Sequence, residues 1–270
     1  MRETIRLYTF TISHFCEKAR WALDRTGAGY REVILLPGFH RRRMKGFGGG
    51  GMVPLLTHGP HVVDGSSAII DFADSLGGAP PLTPVDPALR AEALEWEAYL
   101  DREVGETLRR ALYFYLFDHP RLVVRAWSLG APFWAPAMYG MISGRAIAVV
   151  RRYLKIDAAT VQSDQQRVLA AFERASERLA SRPFLVGDTF TRADLTLAAL
   201  SAPLLRPEQH PWRMPEAREP IAAVDALARR IGATRAGEHV AASYAKRRRE
   251  AAPAPSLGAV NDSVQRQRPA

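Results

Sequence analysis

The chain has 270 residues, enough for one large domain or two modest ones with a sizeable core. It carries 37 Lys and Arg against 28 Asp and Glu, a net charge of +9, and much of the excess sits in two runs, Arg41-Arg42-Arg43-Met44-Lys45 and Lys246-Arg247-Arg248-Arg249. No zinc-finger, helix-turn-helix or RNA-binding signature accompanies these runs, so they read as solvated surface and nucleic acid is not the expected partner.

A single cysteine, Cys16, excludes an intramolecular disulfide and fits a reducing compartment. Met1-Arg2-Glu3-Thr4 enters a strand directly, with no apolar signal segment, and a cytoplasmic protein is expected.

Ile5 to Phe10 reads as a strand and Phe15 to Thr26 as a helix ended by Gly27. Cys16, Ala19, Ala22 and Leu23 recur on one face of that helix, and Ser13 stands where an N-cap is expected. The first turn of a helix has unpaired N–H groups and a positive dipole end, which stabilise an anion such as a thiolate. Tyr30 to Leu35 reads as a second strand. Gly48-Gly49-Gly50-Gly51 lacks the Gly-Lys-Ser/Thr of a phosphate loop and reads as a flexible loop. In Met52-Val53-Pro54-Leu55-Leu56 a proline opens an apolar strand, a place where its missing N–H costs least. A turn at Gly59-Pro60 and a strand at His61-Val62-Val63 follow, and Ser66 reads as the N-cap of the next helix.

Gly77 to Pro84 is rich in Gly and Pro and reads as a linker; beyond it the pattern is helical nearly throughout. Pro87 to Asp118 reads as one long helix. Residues 126–144 carry no charge apart from their flanks, but Gly130, Pro132, Pro136, Gly140 and Gly144 interrupt any membrane span. Three readings of this stretch stay open: helix contacts and a packed loop, a wall for an apolar ligand (Trp127, Phe133, Trp134, Met138, Tyr139), or a membrane-surface patch. Helices follow at Ala146 to Leu154 and Asp164 to Ser181. Thr191 and Asp194 have capping-box spacing, with Phe190 and Leu195 as the hydrophobic staple, and open a helix running through Leu205. Further helices are expected over Pro220 to Ile231 and Thr234 to Arg249, and a disordered tail from Glu250.

The run Ser13-His14-Phe15-Cys16, the Val53-Pro54 pair, Ser66 twelve residues after Pro54, and the block from Gly187 to Asp194 together resemble the glutathione transferase superfamily. The fold class the resemblance implies is an α/β thioredoxin-like domain followed by an all-α helical domain. The boundaries would be 1–78 for the first domain, 79–88 for the linker, 89–249 for the second and 250–270 for the tail. Pro54 would be cis, with Val53 offering its main chain to glutathione. Ser66 and Ser67 would receive the γ-glutamyl carboxylate at a helix N-terminus. Gly65 stands where the family has an acid or amide, and Asp64 lies one residue early. By resemblance to serine-type members, Ser13 would hydrogen-bond the glutathione sulfur and favour its thiolate, with Thr11 a second hydroxyl near it. Cys16 reads as a small buried hydrophobe or, alternatively, a reactive thiol.

The activity implied is conjugation of glutathione, as co-substrate and with no metal, to a small apolar electrophile, or its isomerisation. The chain would be a homodimer. The Ser-His-Phe-Cys run is also similar to the metaxin and failed-axon-connections branch, which implies the alternative of a non-catalytic binding or scaffold protein on the same fold.

Overall fold

The computed structural model describes residues 4–248, so the expected tail from Glu250 and Arg249 lie outside the described residues. A four-stranded sheet comes first. Strand β1 (Ile5–Thr9) feeds helix α1 (His14–Thr26), which returns to β2 (Tyr30–Ile34). A short helix α2 (Arg41–Gly46) precedes the hairpin β3 (Leu55–His58) and β4 (His61–Asp64), and α3 (Ser66–Leu76) closes the unit. The sheet order is β2-β1-β3-β4. β1 runs parallel to β2, in register from Ile5 with Tyr30 to Thr9 with Ile34, because a helix must cross between parallel neighbours. It pairs antiparallel with β3, where the last partner is Tyr8 with Leu55. Pro54 therefore sits just outside the ladder, where its missing N–H breaks no pairing, and the Val53–Pro54 peptide is cis.

The rest of the chain is helical. α4 (Pro87–Leu100) runs into a π-helical turn (Asp101–Glu106) and on into α5 (Thr107–Leu116), so the long helix expected from the sequence is interrupted in its hydrogen bonding. α6 (Pro120–Trp127), α7 (Ala135–Tyr153) and α8 (Ala158–Leu179) follow. α7 begins well before the expected Ala146, because Pro136 occupies its first turn, where a proline costs no hydrogen bond. α9 (Arg192–Leu205) is buried along nearly its whole length. α10 (Ala222–Gly232), α11 (Arg235–Ser243) and a last π-helical turn (Tyr244–Arg248) end the described chain. Among the described residues no helix is long and apolar enough to cross a membrane.

The cap of α9 is built as its sequence requires. Thr191 accepts from the helix, Asp194 accepts from Thr191 N–H, and Asp194 also takes the Leu185 N–H and His239 Nε2. One carboxylate thus ties the 183–190 loop, α9 and α11 together.

The main core runs without a break from sheet to helices, from Leu7, Leu23 and Ile69 to Phe172, Leu195 and Leu200. α1 lies between α3 and α9, so every residue from Cys16 to Asp24 is buried, charged ones included. Each buried ion is paired, as low dielectric demands. Lys18 meets Glu97 at 2.6 Å and Asp101 at 2.8 Å. Arg20 meets Glu32 at 2.5 Å. Arg192 joins Glu97 and Asp71. Arg248, expected as solvated surface, is instead buried against Glu17 at 2.8 Å and Asp24 at 2.7 Å. Four exposed-looking basic residues in a row gave no hint that the third faces an acid pair on α1.

Candidate functional site

Between the sheet unit and the helices lies a cavity of about 670 Å³. Ser13, Val53 and His40 border it on the sheet side, and α5, α6 and α7 wall the other side. Local sequence explains the first of these. Ser13 is extended at φ −83°, ψ 119° and caps α1, its Oγ accepting the Cys16 N–H at 3.3 Å. A hydroxyl has one proton and two lone pairs, so Ser13 can accept the Cys16 N–H and still donate, either to the Cys16 sulfur beneath it or to a group in the cavity. Val53 stands at the cavity beside the cis peptide and outside the β-ladder.

The other residues singled out from the sequence are placed differently. Thr11 is buried and its hydroxyl donates to the Leu129 carbonyl at 2.7 Å, which fixes the 128–134 loop to the turn before α1. Gly130, at φ 73°, makes that approach: a Cβ there would lie 3.0 Å from Thr11 Cγ2 and 2.9 Å from Trp212. Ser66 is the first residue of α3, and the cap position is Gly65 at φ 90°, so Ser66 is not the N-cap. Ser66 itself is buried, whereas the Ser67 hydroxyl donates to Glu97 at 2.8 Å, toward the charge network between the two units. Asp64 accepts the Gly50 N–H at 2.6 Å. The glycine run is therefore not a loose loop. Gly49 and Gly50 pack on Asp64, and a Cβ at Gly49 would fall 2.5 Å from Leu55.

Of the five side chains expected to wall an apolar pocket, Trp127 does so. Phe133, Trp134, Met138 and Tyr139 do not line the cavity. Phe133 is 90% and Trp134 46% exposed on the outer side of the loop before α7. Tyr139 is buried, its hydroxyl donating to the Pro37 carbonyl at 2.7 Å, and Met138 packs in the same cluster. The wall comes instead from α5, whose Arg109, Leu112, Tyr113 and Leu116 at helical spacing face the cavity, and from Val150 and Tyr153 of α7. Arg41 of α2 reaches over the Tyr153 ring, 5.4 Å from its centroid, across the two sides.

Three titratable groups lie beside Ser13 or share its cavity. His14 is the first residue of α1 and is buried, and its Nε2 lies 2.9 Å from the Gly105 carbonyl. A carbonyl only accepts, so Nε2 carries the proton. Burial, then the charge of Arg109, lower its pKa to about 3. His40 has both ring nitrogens buried without a hydrogen-bond partner among the described residues, and burial with the Arg41 charge lowers its pKa to about 4. Both imidazoles are neutral at physiological pH. Cys16 is wholly buried, and burial pushes its thiol up despite Arg20 and the hydrogen bonds from Ser13 and from Phe10 N–H. His40 and Arg109 were not anticipated from the sequence. Arg109 was legible only as one position of the α5 stripe, and His40 carried no pattern at all.

The sheet order, the Ser13-capped turn and Val53 of a cis Val–Pro peptide on one cavity, and the all-helical second unit define a class of protein. They are the thioredoxin-like and helical halves of a glutathione transferase fold. The family model for the glutathione S-transferase N-terminal domain matches residues 7–81, and that for the C-terminal domain matches residues 137–211. Together these cover more than half of the chain, which belongs to the glutathione transferase superfamily. No curated protein matches it by sequence. Solved structures with the same fold include a glutathione S-transferase from Methylobacillus flagellatus KT with glutathione bound. That one is 16% identical, with a TM-score of 0.55 over 88% of this chain and 99% of the other. The β-etherase LigF from Sphingobium sp. strain SYK-6 is 19% identical, TM-score 0.55, over 88% and 98%. FzlA from C. crescentus is 18% identical, TM-score 0.52, over 90% and 98%.

Proposed function

We propose that the protein is a glutathione-dependent transferase in which Ser13 stabilises the thiolate of glutathione and the α5–α7 wall receives the electrophile. The observation that carries this reading is that the Ser13 hydroxyl at a helix N-terminus and Val53, beside the cis peptide, border one cavity whose far side is mostly apolar. The Methylobacillus relative of the same fold holds glutathione, which supports the choice of thiol. A hydrogen bond to the sulfur favours the thiolate over the thiol, and the N-terminus of α1 adds to it. The homodimeric state, the cytoplasmic setting and the division at 79–88 belong to the same reading by family likeness; sedimentation and limited proteolysis test the first and last.

The experiment is calorimetric titration with glutathione on the native protein and Ser13→Ala, followed by an electrophile screen. Ser13→Ala should leave glutathione affinity within a few-fold and lower turnover by about 10²-fold, since the bond is strongest once the thiolate forms. No binding at millimolar glutathione would defeat the reading.

One observation favours a second reading, a binding protein that keeps the fold without turnover. The acidic slot before Ser66 holds Gly65, and the neighbouring Asp64 carboxylate is engaged by Gly50. Intact folding with no glutathione binding would support it.

A further inference from the structure

Four arginines line the cavity, Arg41, Arg109, Arg206 and Arg218, and Arg109 is the one on the α5 wall. It shares the α5 stripe with Leu112, Tyr113 and Leu116, all facing the same space. It stands one turn after Gly105, whose carbonyl holds His14, so it occupies the end of the stripe beside the Ser13 turn. Its Nε is buried with no hydrogen-bond partner, and among the described residues it forms no ion pair. Its neighbour Arg110, by contrast, is paired with Asp164 at 2.6 Å. Acidic side chains also line the cavity, at Glu216, Glu219 and Asp225, and among the described residues none pairs with Arg109. Arg109 as a whole is half-buried, so its remaining N–H donors stay open to an anion that enters the cavity.

We propose that the cavity takes aromatic electrophiles bearing a carboxylate, and that Arg109 is the residue that binds the carboxylate. This rests on the transferase reading for the reaction, though not for the binding. A planar fork of N–H donors matches a carboxylate, and Leu112, Tyr113, Leu116 and Trp127 suit the ring beyond it. Because Arg109 lies at the Ser13 end, the carboxylate belongs on the ring that is attacked. With an aryl chloride the glutathione sulfur forms the new C–S bond, chloride leaves with the C–Cl electron pair, and the thiol proton passes to solvent.

The test compares a chloronitrobenzoate with its methyl ester, each enzymatic kcat/KM divided by the uncatalysed rate with glutathione. The native protein should prefer the acid by roughly tenfold or more, the worth of a hydrogen bond to a charged group. Arg109→Leu should erase that preference by lowering the acid alone, and Arg109→Lys should restore part of it. An equal loss on acid and ester, or no preference in the native protein, overturns the proposal and assigns Arg109 to the thiolate or to the fold. A second arm needs neither glutathione nor turnover: binding of nitrobenzoate without the halide, followed by calorimetric titration. Binding that disappears in both Arg109→Leu and Arg109→Gln, at unchanged melting temperature, upholds the anion site even if no transferase activity is found. Equal nitrobenzoate binding in native protein and variants overturns it even if activity is found.

Discussion

Ser13 and Cys16 share one helical turn and have opposite surroundings. Ser13 opens on the cavity, while the Cys16 sulfur is wholly buried and accepts the Phe10 N–H at 3.5 Å. Burial holds its thiol above the ordinary range, so the reactive thiolate is scarce at neutral pH. Native protein should therefore resist iodoacetamide at neutral pH and be labelled once urea unfolds it; fast labelling of the folded chain would show that Cys16 is a reactive thiol. His14 and His40 give a second prediction at this scale. With pKa values near 3 and 4, neither changes charge between pH 5 and 9. On the proposed transferase reading, activity should rise with the ionisation of bound glutathione alone, and a pH–rate profile with a histidine limb near 6.5 would contradict this. Ser13 was readable because capping is a local matter of a few residues. The fate of His14 was not, since its carbonyl partner lies 91 residues away.

At the scale of elements, the π-helical turn 101–106 is where the helical unit meets the turn that opens α1. Gly105 lies in it, gives its carbonyl to His14 and passes close under Phe15. A Cβ at Gly105 would fall 2.6 Å from Phe15 Cζ and 3.2 Å from Leu200. Gly105→Ala gains helix propensity but overpacks this contact, and overpacking costs about 1–3 kcal/mol. Urea unfolding should show that loss, with turnover falling as the His14 bond loosens; a variant as stable as the native protein would mean that Phe15 simply moves aside. Hydrophobic period placed α1, α8 and α9, and the Thr191–Asp194 spacing placed the cap of α9. Period alone could not reveal the π turn, because one extra residue leaves the apolar positions nearly in phase. Nor could it say which apolar residues face a cavity: Phe133 and Trp134 have the composition of a pocket wall and point outward.

The whole molecule is held as one by charges that no local pattern exposes. Arg248, on the last described turn, lies over the Trp21 ring and between Glu17 and Asp24 of α1, so the end of the helical unit is fastened to the first helix of the sheet unit. Burial by itself would push the Glu17 carboxyl up, but Arg248, His210 and Arg20 outweigh it and the net direction is down. A carboxyl depressed on folding adds stability that is present above its unfolded value, near 4.3, and is lost as pH falls below it. Glu97 behaves alike: Lys18 and Arg192 overcome its burial. The native protein should therefore lose stability as pH falls below about 4. In Arg248→Met the chief counter-charge is gone, and burial then governs Glu17. Removing one partner of a buried pair costs about 3–5 kcal/mol, so the variant should be much weaker at pH 7. Its Glu17 now has a raised pKa, and protonation relieves the penalty as pH falls. The stability gap between native protein and variant should thus narrow from pH 7 toward pH 4, measured by urea unfolding at each pH. A gap that stays constant would mean that Arg248 acts through its packing on Trp21 and not through its charge.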